Sequence, residues 1–284
     1  MRIANLSGRL VVVTGDPGRE VAHDVEKDSG GRFGADPQAV YEAWDSFADW
    51  AAGERWRDDG VPVSPGDLGS PAPAPRQVLA IGLNYRDHAA ESGFAVPVGE
   101  PPVFTKFPSC ITGPHGEIAL PEGGHTDWEV ELVAVVGRRA ERVGAGEALS
   151  YVAGYAVGQD ISERILQMAA TPPQFSLGKS LPGFGPIGPW LVTLDELADP
   201  NDLELGCAIN GQQVQLSRTS SLIFPVPALI EKLSAVMPLL PGDVIFTGTP
   251  SGVGLGRTPQ RWLAPGDELV SYIEGIGELR HRFR

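Results

Sequence analysis

The stretch Asp127-Trp-Glu-Val-Glu-Leu-Val-Ala-Val-Val-Gly137 places two carboxylates in a segment that otherwise has the apolar pattern of a buried β-strand. The two-residue period of a strand sends its side chains alternately to opposite faces. One face carries Glu129, Glu131, Val133 and Val135, and the other carries Trp128, Val130, Leu132, Ala134 and Val136. Carboxylates in such surroundings stay ionised only when a cation or basic side chains neutralise them.

Asp160 adds a third carboxylate downstream, so the set consists of oxygen ligands alone. Such a set suits a hard ion, Mg²⁺, Mn²⁺ or Ca²⁺, rather than zinc. From the Glu-x-Glu motif alone, an edge strand whose glutamates face water is the commoner explanation, because charged residues are rarely buried.

Composition indicates a globular chain and excludes several classes of partner. With 284 residues, 42% of them hydrophobic, the chain can bury a sizeable core, and 36 glycines and 26 prolines predict many turns. The net charge of −14 repels nucleic acid and anionic lipid, so neither is expected as a partner. The absence of a signal-peptide core or a run of roughly 18 apolar residues predicts a cytoplasmic location. Cys110 and Cys207 have no metal or redox motif around them and are predicted to be small core residues.

The order of apolar patterns predicts a β-rich α+β protein with a small N-terminal α+β domain. Residues 1–60 contain a strand at Leu10 to Thr14 and a helix whose apolar stripe ends near Gly53. Residues 61–76 are rich in proline and glycine, which predicts a linker. Residues 77–284 form the predicted catalytic domain, with few helices, chiefly Pro225 to Ala235 and a stretch after Asp160. Strands are predicted at Val78–Ile81, Glu129–Val136, Tyr151–Val157, Trp190–Thr193, Leu203–Ile209, Asp243–Thr247 and Glu268–Ile273.

Two glycine-rich stretches do not form nucleotide-binding motifs. Gly178-Lys-Ser180 would need a glycine where Pro173 stands, and Gly252-Val-Gly-Leu-Gly256 has the wrong spacing for a dinucleotide fingerprint. Another motif is more informative, because His88 and Glu91 share a face if their segment is helical. A histidine oriented by a carboxylate is a usable general base, although a surface ion pair is the commoner explanation of such a pair alone.

Taken together, these motifs resemble the fumarylacetoacetate hydrolase family from about Val78 to Gly277, in its acylpyruvase or 2-hydroxyhepta-2,4-diene-1,7-dioate isomerase branch. The resemblance rests on ordered blocks: Gly82-Leu-Asn-Tyr-Arg-Asp-His-Ala-Ala-Glu91, Phe104-Thr-Lys-Phe-Pro108, Asp127-Trp-Glu-Val-Glu-Leu132, Gly154-Tyr-Ala-Val-Gly-Gln-Asp160, Gly178-Lys-Ser180, Gly185-Pro-Ile-Gly-Pro-Trp190, Asn210-Gly211, Pro241-Gly-Asp-Val-Ile-Phe-Thr-Gly-Thr-Pro-Ser-Gly-Val-Gly254 and Glu274-Gly-Ile-Gly277. It implies a mixed β-roll built on a mostly antiparallel barrel, a homodimer, and Mg²⁺ or Mn²⁺ as cofactor.

The resemblance also assigns roles by position. It implies that Glu129, Glu131 and Asp160 hold the metal and that His88 and Glu91 form an acid/base dyad on a segment that orders over the site. Lys179 would stabilise developing negative charge. Substrate contacts are implied for Arg164, Gln167 and Tyr85, and more weakly for Lys106 and Thr249, either of which could instead fix a loop.

Departures from the family pattern concern the substrate more than the metal. Gln159 stands where many relatives have Asn, Glu163 stands where a small residue is common, and the proline-rich loop Ala169 to Phe175 is expected to shape the pocket. The predicted activity is hydrolysis of a C–C bond in a 2,4-dioxo acid of the acylpyruvate or fumarylpyruvate type. An oxaloacetate-type decarboxylase, a hydroxymuconate-type isomerase or dehydratase, and a non-catalytic metal-binding module are the alternatives.

Overall fold

The computed structural model describes residues 1–56, 60–91, 93 and 95–284, and it confirms the β-rich class. Its strands are β1 (Arg2–Leu6), β2 (Arg9–Thr14), β3 (Val21–Asp24), β4 (Val61–Pro62), β5 (Leu68–Gly69), β6 (Val78–Ile81), β7 (Val103–Thr105), β8 (Ile111–Thr112), β9 (His115–Ile118), β10 (Thr126–Asp127), β11 (Val130–Val136), β12 (Val152–Gln159), β13 (Ser162–Glu163), β14 (Gly185–Val192), β15 (Glu204–Ile209), β16 (Gln212–Arg218), β17 (Val244–Phe246), β18 (Glu268–Ile273) and β19 (Gly277–Phe283). Its α-helices are α1 (Val25–Asp28), α2 (Trp44–Gly53), α3 (Arg86–Glu91), α4 (Arg164–Gln167), α5 (Phe175–Gly178) and α6 (Val226–Val236).

A large mixed sheet forms the centre of the molecule. Its strands follow the order β4-β3-β2-β1-β14-β12-β11-β17-β6-β7, with β5 and β8 pairing at its side. Within the described residues this path has two ends, β4 and β7, so the sheet is open rather than closed into a barrel. A second sheet, β16-β15-β18-β19-β9, and the short pair β10-β13 complete the β structure.

The central strand β11 separates two hydrophobic cores, as the alternation in its sequence predicts. Val130, Leu132 and Ala134 belong to one cluster, which extends to the second sheet and α6. Val133 and Val135 belong to the other. Every residue of β11 is buried, because both faces of the sheet are covered.

The N-terminal residues supply much of the second core. Strand β1 pairs with β14, so β1 to β4 continue the large sheet, and Trp44 and Phe47 of α2 pack against the same face as Val133. The helix predicted to end near Gly53 is confirmed as α2. The division of the chain into residues 1–60, 61–76 and 77–284 stays a prediction.

Other sequence predictions bear on the core and on membranes. Both Cys110 and Cys207 are buried free thiols, as predicted. Among the residues that the structure describes, no helix is long and apolar enough to cross a membrane.

Candidate metal centre

Three buried carboxylates meet where β11 begins and β12 ends. Antiparallel pairing of these strands sets Glu131 opposite Gly158, and the backbone N–H of Asp160 donates to the carbonyl of Glu129 at 2.9 Å. One ligand atom each from Glu129, Glu131 and Asp160 lies within 4.8 Å of the others. The cluster is buried, so the alternative of a water-facing edge pair does not hold for these residues.

Buried basic side chains compensate part of this negative charge. The ammonium of Lys179 lies 2.7 Å from Glu129 Oε2 and 2.6 Å from Asp160 Oδ2. Lys106 reaches Asp160 Oδ1 at 2.6 Å and also donates to the carbonyl oxygen of Lys179. A third cation, Arg164, contacts Glu129 Oε1 at 2.7 Å. Ionised carboxylates can therefore persist here in spite of burial.

Charge pairing decides the protonation of Glu129 and Lys179. Burial raises the pKa of Glu129, but the positive charges of Lys179 and Arg164 outweigh this effect and lower it to about 2. Burial lowers the pKa of Lys179, but the negative charges of Asp160 and Glu129 raise it above its ordinary value. At neutral pH the pair is therefore a carboxylate and an ammonium.

Glu131 is different, because no Lys or Arg side chain of the described residues forms an ion pair with it. Its Oε2 accepts a hydrogen bond of 2.7 Å from the backbone N–H of Gly248. Burial, together with the negative charges of Asp160 and Glu129, raises the pKa of Glu131 well above its usual range. A carboxylate in this position calls for a further positive charge, so the three oxygen ligands fit a divalent cation.

The side chains of His88 and Glu91, the dyad predicted from the sequence, are hydrogen-bonded to each other. His88 and Glu91 lie one turn apart on α3, and His88 Nδ1 is 2.9 Å from Glu91 Oε1. The backbone N–H of Gly252 donates to both oxygens of Glu91, at 3.1 and 2.9 Å. The carboxylate is thereby held from a second loop, and it orients the imidazole ring.

One cavity of about 340 Å³ brings most of the predicted residues together. It is lined by His88, Glu91, Glu129, Arg164, Gln167, Lys179 and Thr249. Of the loop predicted to shape the pocket, Phe175 lines this cavity, and Met168 does so just before the loop.

Two predicted substrate contacts lie elsewhere. Tyr85 lines a separate cleft beside Pro250, and its buried hydroxyl has no hydrogen-bond partner among the described residues. Lys106 is completely buried behind Asp160, where it acts as a counter-ion. Their contact with substrate stays a prediction.

Sequence reasoning did not single out Asp127, whose carboxylate joins Arg164 to the loop that contains Gly254 and Leu255. Its carboxylate lies 2.9 Å from Arg164 Nε and accepts backbone N–H groups from Gly254 at 2.6 Å and Leu255 at 2.9 Å. Asp127 stands two residues before Glu129 in the same strand-like motif, and that period of two was the available signal.

The two departures from the family pattern have scaffold roles. Gln159 accepts from the backbone N–H of Glu129 at 2.9 Å and donates to Ser271 at 2.8 Å. Glu163 caps the N-terminus of α4, accepting from the backbone N–H groups of Ile165 and Leu166. Gln215, also not singled out, accepts from the backbone N–H of Val130 at 3.0 Å.

Comparisons with known proteins identify the family of this chain. The family model described as fumarylacetoacetate (FAA) hydrolase C-terminal matches residues 77–284. The mitochondrial oxaloacetate tautomerase FAHD2A of Bos taurus is 44% identical over 211 residues, which are 74% of this chain and 67% of that protein.

Two solved structures are similar over the whole chain. A Mycobacterium smegmatis protein provisionally named HpcE has 57% identity and a TM-score of 0.94, covering 100% of this chain and 99% of that one. A fumarylacetoacetate hydrolase from Exiguobacterium antarcticum has 32% identity and a TM-score of 0.81, with coverage of 100% and 99%. The chain belongs to the fumarylacetoacetate hydrolase family of enzymes.

Proposed function

We propose that this protein is a divalent-metal-dependent hydrolase that cleaves a C–C bond in a 2,4-dioxo acid of the acylpyruvate or fumarylpyruvate type. The observation that carries the proposal is that the His88–Glu91 dyad and the ligand Glu129 line one cavity. A base, an ammonium group and one carboxylate of the cluster that suits a hard cation thus face the same cavity, while Glu131 and Asp160 lie with Glu129 in the metal cluster and are not among the described residues that line the cavity.

The dyad activates the attacking water. With Nδ1–H of His88 donating to Glu91, Nε2 keeps a lone pair and accepts a proton from water. The oxygen of this water bonds to the distal carbonyl carbon of the substrate. When the C–C bond breaks, its electron pair stays on the pyruvate fragment as an enolate, and the acyl fragment leaves as a carboxylic acid. His88 then returns the proton, which gives pyruvate.

Lys179 stabilises the negative charge that develops on the pyruvate fragment. Its ammonium is positioned by Glu129 and Asp160, and it lies 5.1 Å from the ring centroid of Phe104. Because these contacts are present before the reaction, little reorganisation is needed as the charge grows.

The metal would be held by Glu129, Glu131 and Asp160. When bound, it supplies Lewis-acid polarisation of the oxygens of the 2-oxo acid and neutralises charge. Incubation with a chelator should abolish turnover, and added Mg²⁺ or Mn²⁺ should restore it. Full activity of metal-stripped protein would contradict the proposal.

Oxaloacetate chemistry is the second candidate, favoured by the 44% identity to an oxaloacetate tautomerase. Tautomerisation moves a proton between carbon and oxygen, which the His88–Glu91 dyad can do without water attack. Decarboxylation would use Lys179 to stabilise the enolate in the same way. The 2-hydroxyhepta-2,4-diene-1,7-dioate isomerase from Mycobacterium marinum, 32% identical with a TM-score of 0.75, keeps isomerisation as a further outcome.

A product assay separates these activities. Purified protein with Mg²⁺ or Mn²⁺ is supplied with an acylpyruvate, fumarylpyruvate, oxaloacetate and a hydroxymuconate-type acid, and products are identified by mass and by NMR. Pyruvate plus a carboxylic acid supports the hydrolase. Release of CO₂, or keto–enol exchange of oxaloacetate alone, would replace it with the second candidate.

Assembly and location belong to the same proposal. We expect a cytoplasmic homodimer, and light scattering of the purified protein tests the dimer. A monomer at micromolar concentration would contradict that part.

A further inference from the structure

We propose that the cavity selects 2-oxo acids with an uncharged, apolar tail and discriminates against those that carry a second, distal carboxylate. The inference rests on the proposed 2-oxo acid chemistry of the site and narrows its substrates to acylpyruvates with an uncharged tail, so that fumarylpyruvate becomes the poorer substrate of the two proposed types. It is not implied by the named relatives, several of which are named for dicarboxylic acids, such as the 2-hydroxyhepta-2,4-diene-1,7-dioate isomerase from Mycobacterium marinum.

Both cations that line the cavity are already occupied by groups of the chain. The ammonium nitrogen of Lys179 lies 2.7 Å from Glu129 Oε2 and 2.6 Å from Asp160 Oδ2. In Arg164, Nε lies 2.9 Å from Asp127 and Nη1 lies 2.8 Å from Gln167. Nη2 has no hydrogen-bond partner of good geometry among the described residues, but its charge is paired, because it lies 2.7 Å from Glu129 and 2.8 Å from Asp127.

Among the described lining residues there is no further lysine or arginine. In the proposed function Lys179 serves the 2-oxo acid end of the substrate, and the charge of Arg164 is paired with Asp127 and Glu129. A distal carboxylate entering the cavity would therefore find no cation whose charge is unpaired.

The rest of the wall is mainly apolar. It contains Ile81, Leu83, Phe104, Met168, Phe175 and Leu255. The rings of Phe104 and Phe175 pack edge to face with centroids 5.6 Å apart, which gives the tail an aromatic surface. The polar side chains Thr249 and Gln260 on this wall are neutral. Such a surface binds an alkyl or aryl group well and binds an unpaired carboxylate poorly.

The sequence of the segment after α3 shows that this segment cannot supply the missing cation. Ser92-Gly-Phe-Ala-Val-Pro-Val-Gly99 contains no lysine or arginine. The basic residue at the start of α3, Arg86, lines the separate cleft beside Tyr85. Glu91, at the end of α3, adds a negative group to the cavity that would repel a second carboxylate.

A binding experiment tests the inference apart from turnover. In the presence of Mg²⁺, calorimetry compares 2-oxoadipate with 2-oxo-6-methylheptanoate, in which an isopropyl group of similar size replaces the distal carboxylate. We expect the monoacid to bind at least about tenfold more tightly, because the diacid must bury or displace an unpaired charge. Equal affinity, tighter binding of the diacid, or no binding of either acid would overturn the inference.

A charge-insertion variant tests the location of the preference. Met168→Lys places an ammonium on a side chain of similar length in the cavity wall, and it should shift the affinity ratio about tenfold or more toward 2-oxoadipate. Leu177→Lys is the matched control, because Leu177 is exposed on α5 and is absent from the described lining. An equal shift in both variants would show that overall charge sets the preference, and this result would contradict the inference.

Turnover separates this inference from the proposed function. If no acylpyruvate releases pyruvate but the monoacid still binds more tightly, the hydrolase proposal fails and the tail preference stands. If pyruvate is released faster from succinylpyruvate than from 4-methylpentanoylpyruvate, the hydrolase stands and the tail preference fails.

Discussion

At the scale of single residues, the site is a nearly balanced cluster of buried charges. Four carboxylates, Asp127, Glu129, Glu131 and Asp160, meet three cations, so ionisation of all four leaves one negative charge without a cation, which agrees with the raised pKa of Glu131. The ion pairs leave Glu131 as the member without a cationic contact in the described residues. This explains why a set with so many lysine and arginine contacts still suits a divalent cation.

Substitution of a metal ligand and substitution of the dyad histidine should affect different properties of the protein. Asp160→Asn removes a ligand charge and leaves Lys106 and Lys179 facing a neutral amide, so we expect a large loss of Mn²⁺ affinity. His88→Ala should keep that affinity and lose turnover by about 10²–10⁴-fold, the usual contribution of a general base. Calorimetry with Mn²⁺ measures the first effect, and initial rates measure the second. The same loss of affinity in both variants would contradict separate roles.

Buried His281 should make folding stability depend on pH. Burial lowers the pKa of His281 to about 4, and its Nε2 donates to the carbonyl of Gly113 at 3.0 Å. The unfolded chain binds this proton below an ordinary pKa of about 6.5. Between about pH 4 and 6.5 the unfolded state therefore holds more protons, so stability falls as pH falls through that window.

Urea unfolding between pH 7.5 and 4.5 measures this effect against His281→Gln, whose neutral amide can still donate to Gly113. We expect the wild type to lose up to about 1.4 kcal/mol more stability per pH unit than the variant. Parallel pH profiles of the two proteins would show that His281 does not titrate on unfolding.

At the scale of elements, the sequence predicted those strands and helices whose apolar residues recur with a regular period. The alternation in β11 and the apolar stripe of α2 both reappear in the structure. Strand β1 was missed, because its sequence RIANL has no regular alternation and its strand is fixed by pairing with β2 and β14. The predicted strand at Trp190–Thr193 begins earlier, at Gly185, since tertiary pairing overrides the low β propensity of glycine and proline.

Contacts between side chains far apart in the sequence could not be predicted from the sequence either. The contact of Lys106 with Asp160 spans 54 residues, and that of Asp127 with Gly254 spans 127. No local period encodes such pairs, whereas His88 and Glu91 were recognisable because a helical turn joins them.

The segment from Tyr85 to Gly99 is the element expected to move. Ser92 and Phe94 lie outside the residues that the structure describes. The lid role, implied by the resemblance and by the small residues, glycine and proline that follow α3, stays a prediction, and the structure places the dyad residues His88 and Glu91 on α3.

Hydrogen exchange tests this lid. Oxalate, a non-hydrolysed diacid, should chelate the metal and slow exchange between Tyr85 and Gly99 more than in β11 or β12. The matched control is Asp160→Asn with oxalate, in which weakened metal binding should remove the protection. Slow exchange without any ligand, unchanged by oxalate, would mean that the site is preformed.

At the scale of the whole molecule, the large sheet needs cover on both faces. One face is covered by the second sheet and α6, and the other by residues from the N-terminal part, including Phe33, Tyr41 and Phe47. Glu131 lies in the same strand as Val133 and Val135, which belong to this second core, and Glu129 immediately precedes that strand. The N-terminal residues therefore contribute to the support of the site, although the family model begins only at residue 77.

A truncated chain of residues 77–284 tests whether the N-terminal unit is separable. Its removal would expose the sheet face formed by Val133, Val135 and Phe246 and would leave β14 without its partner β1. We expect the truncated chain to aggregate or to melt at a much lower temperature than the full chain, because a large apolar sheet face would meet water. Thermal unfolding followed by circular dichroism, with light scattering for aggregation, measures this, and residues 1–76 added in trans provide the control. A soluble truncated chain with an unchanged melting temperature and Mn²⁺ affinity would establish residues 1–60 as an independent domain, as the sequence predicts.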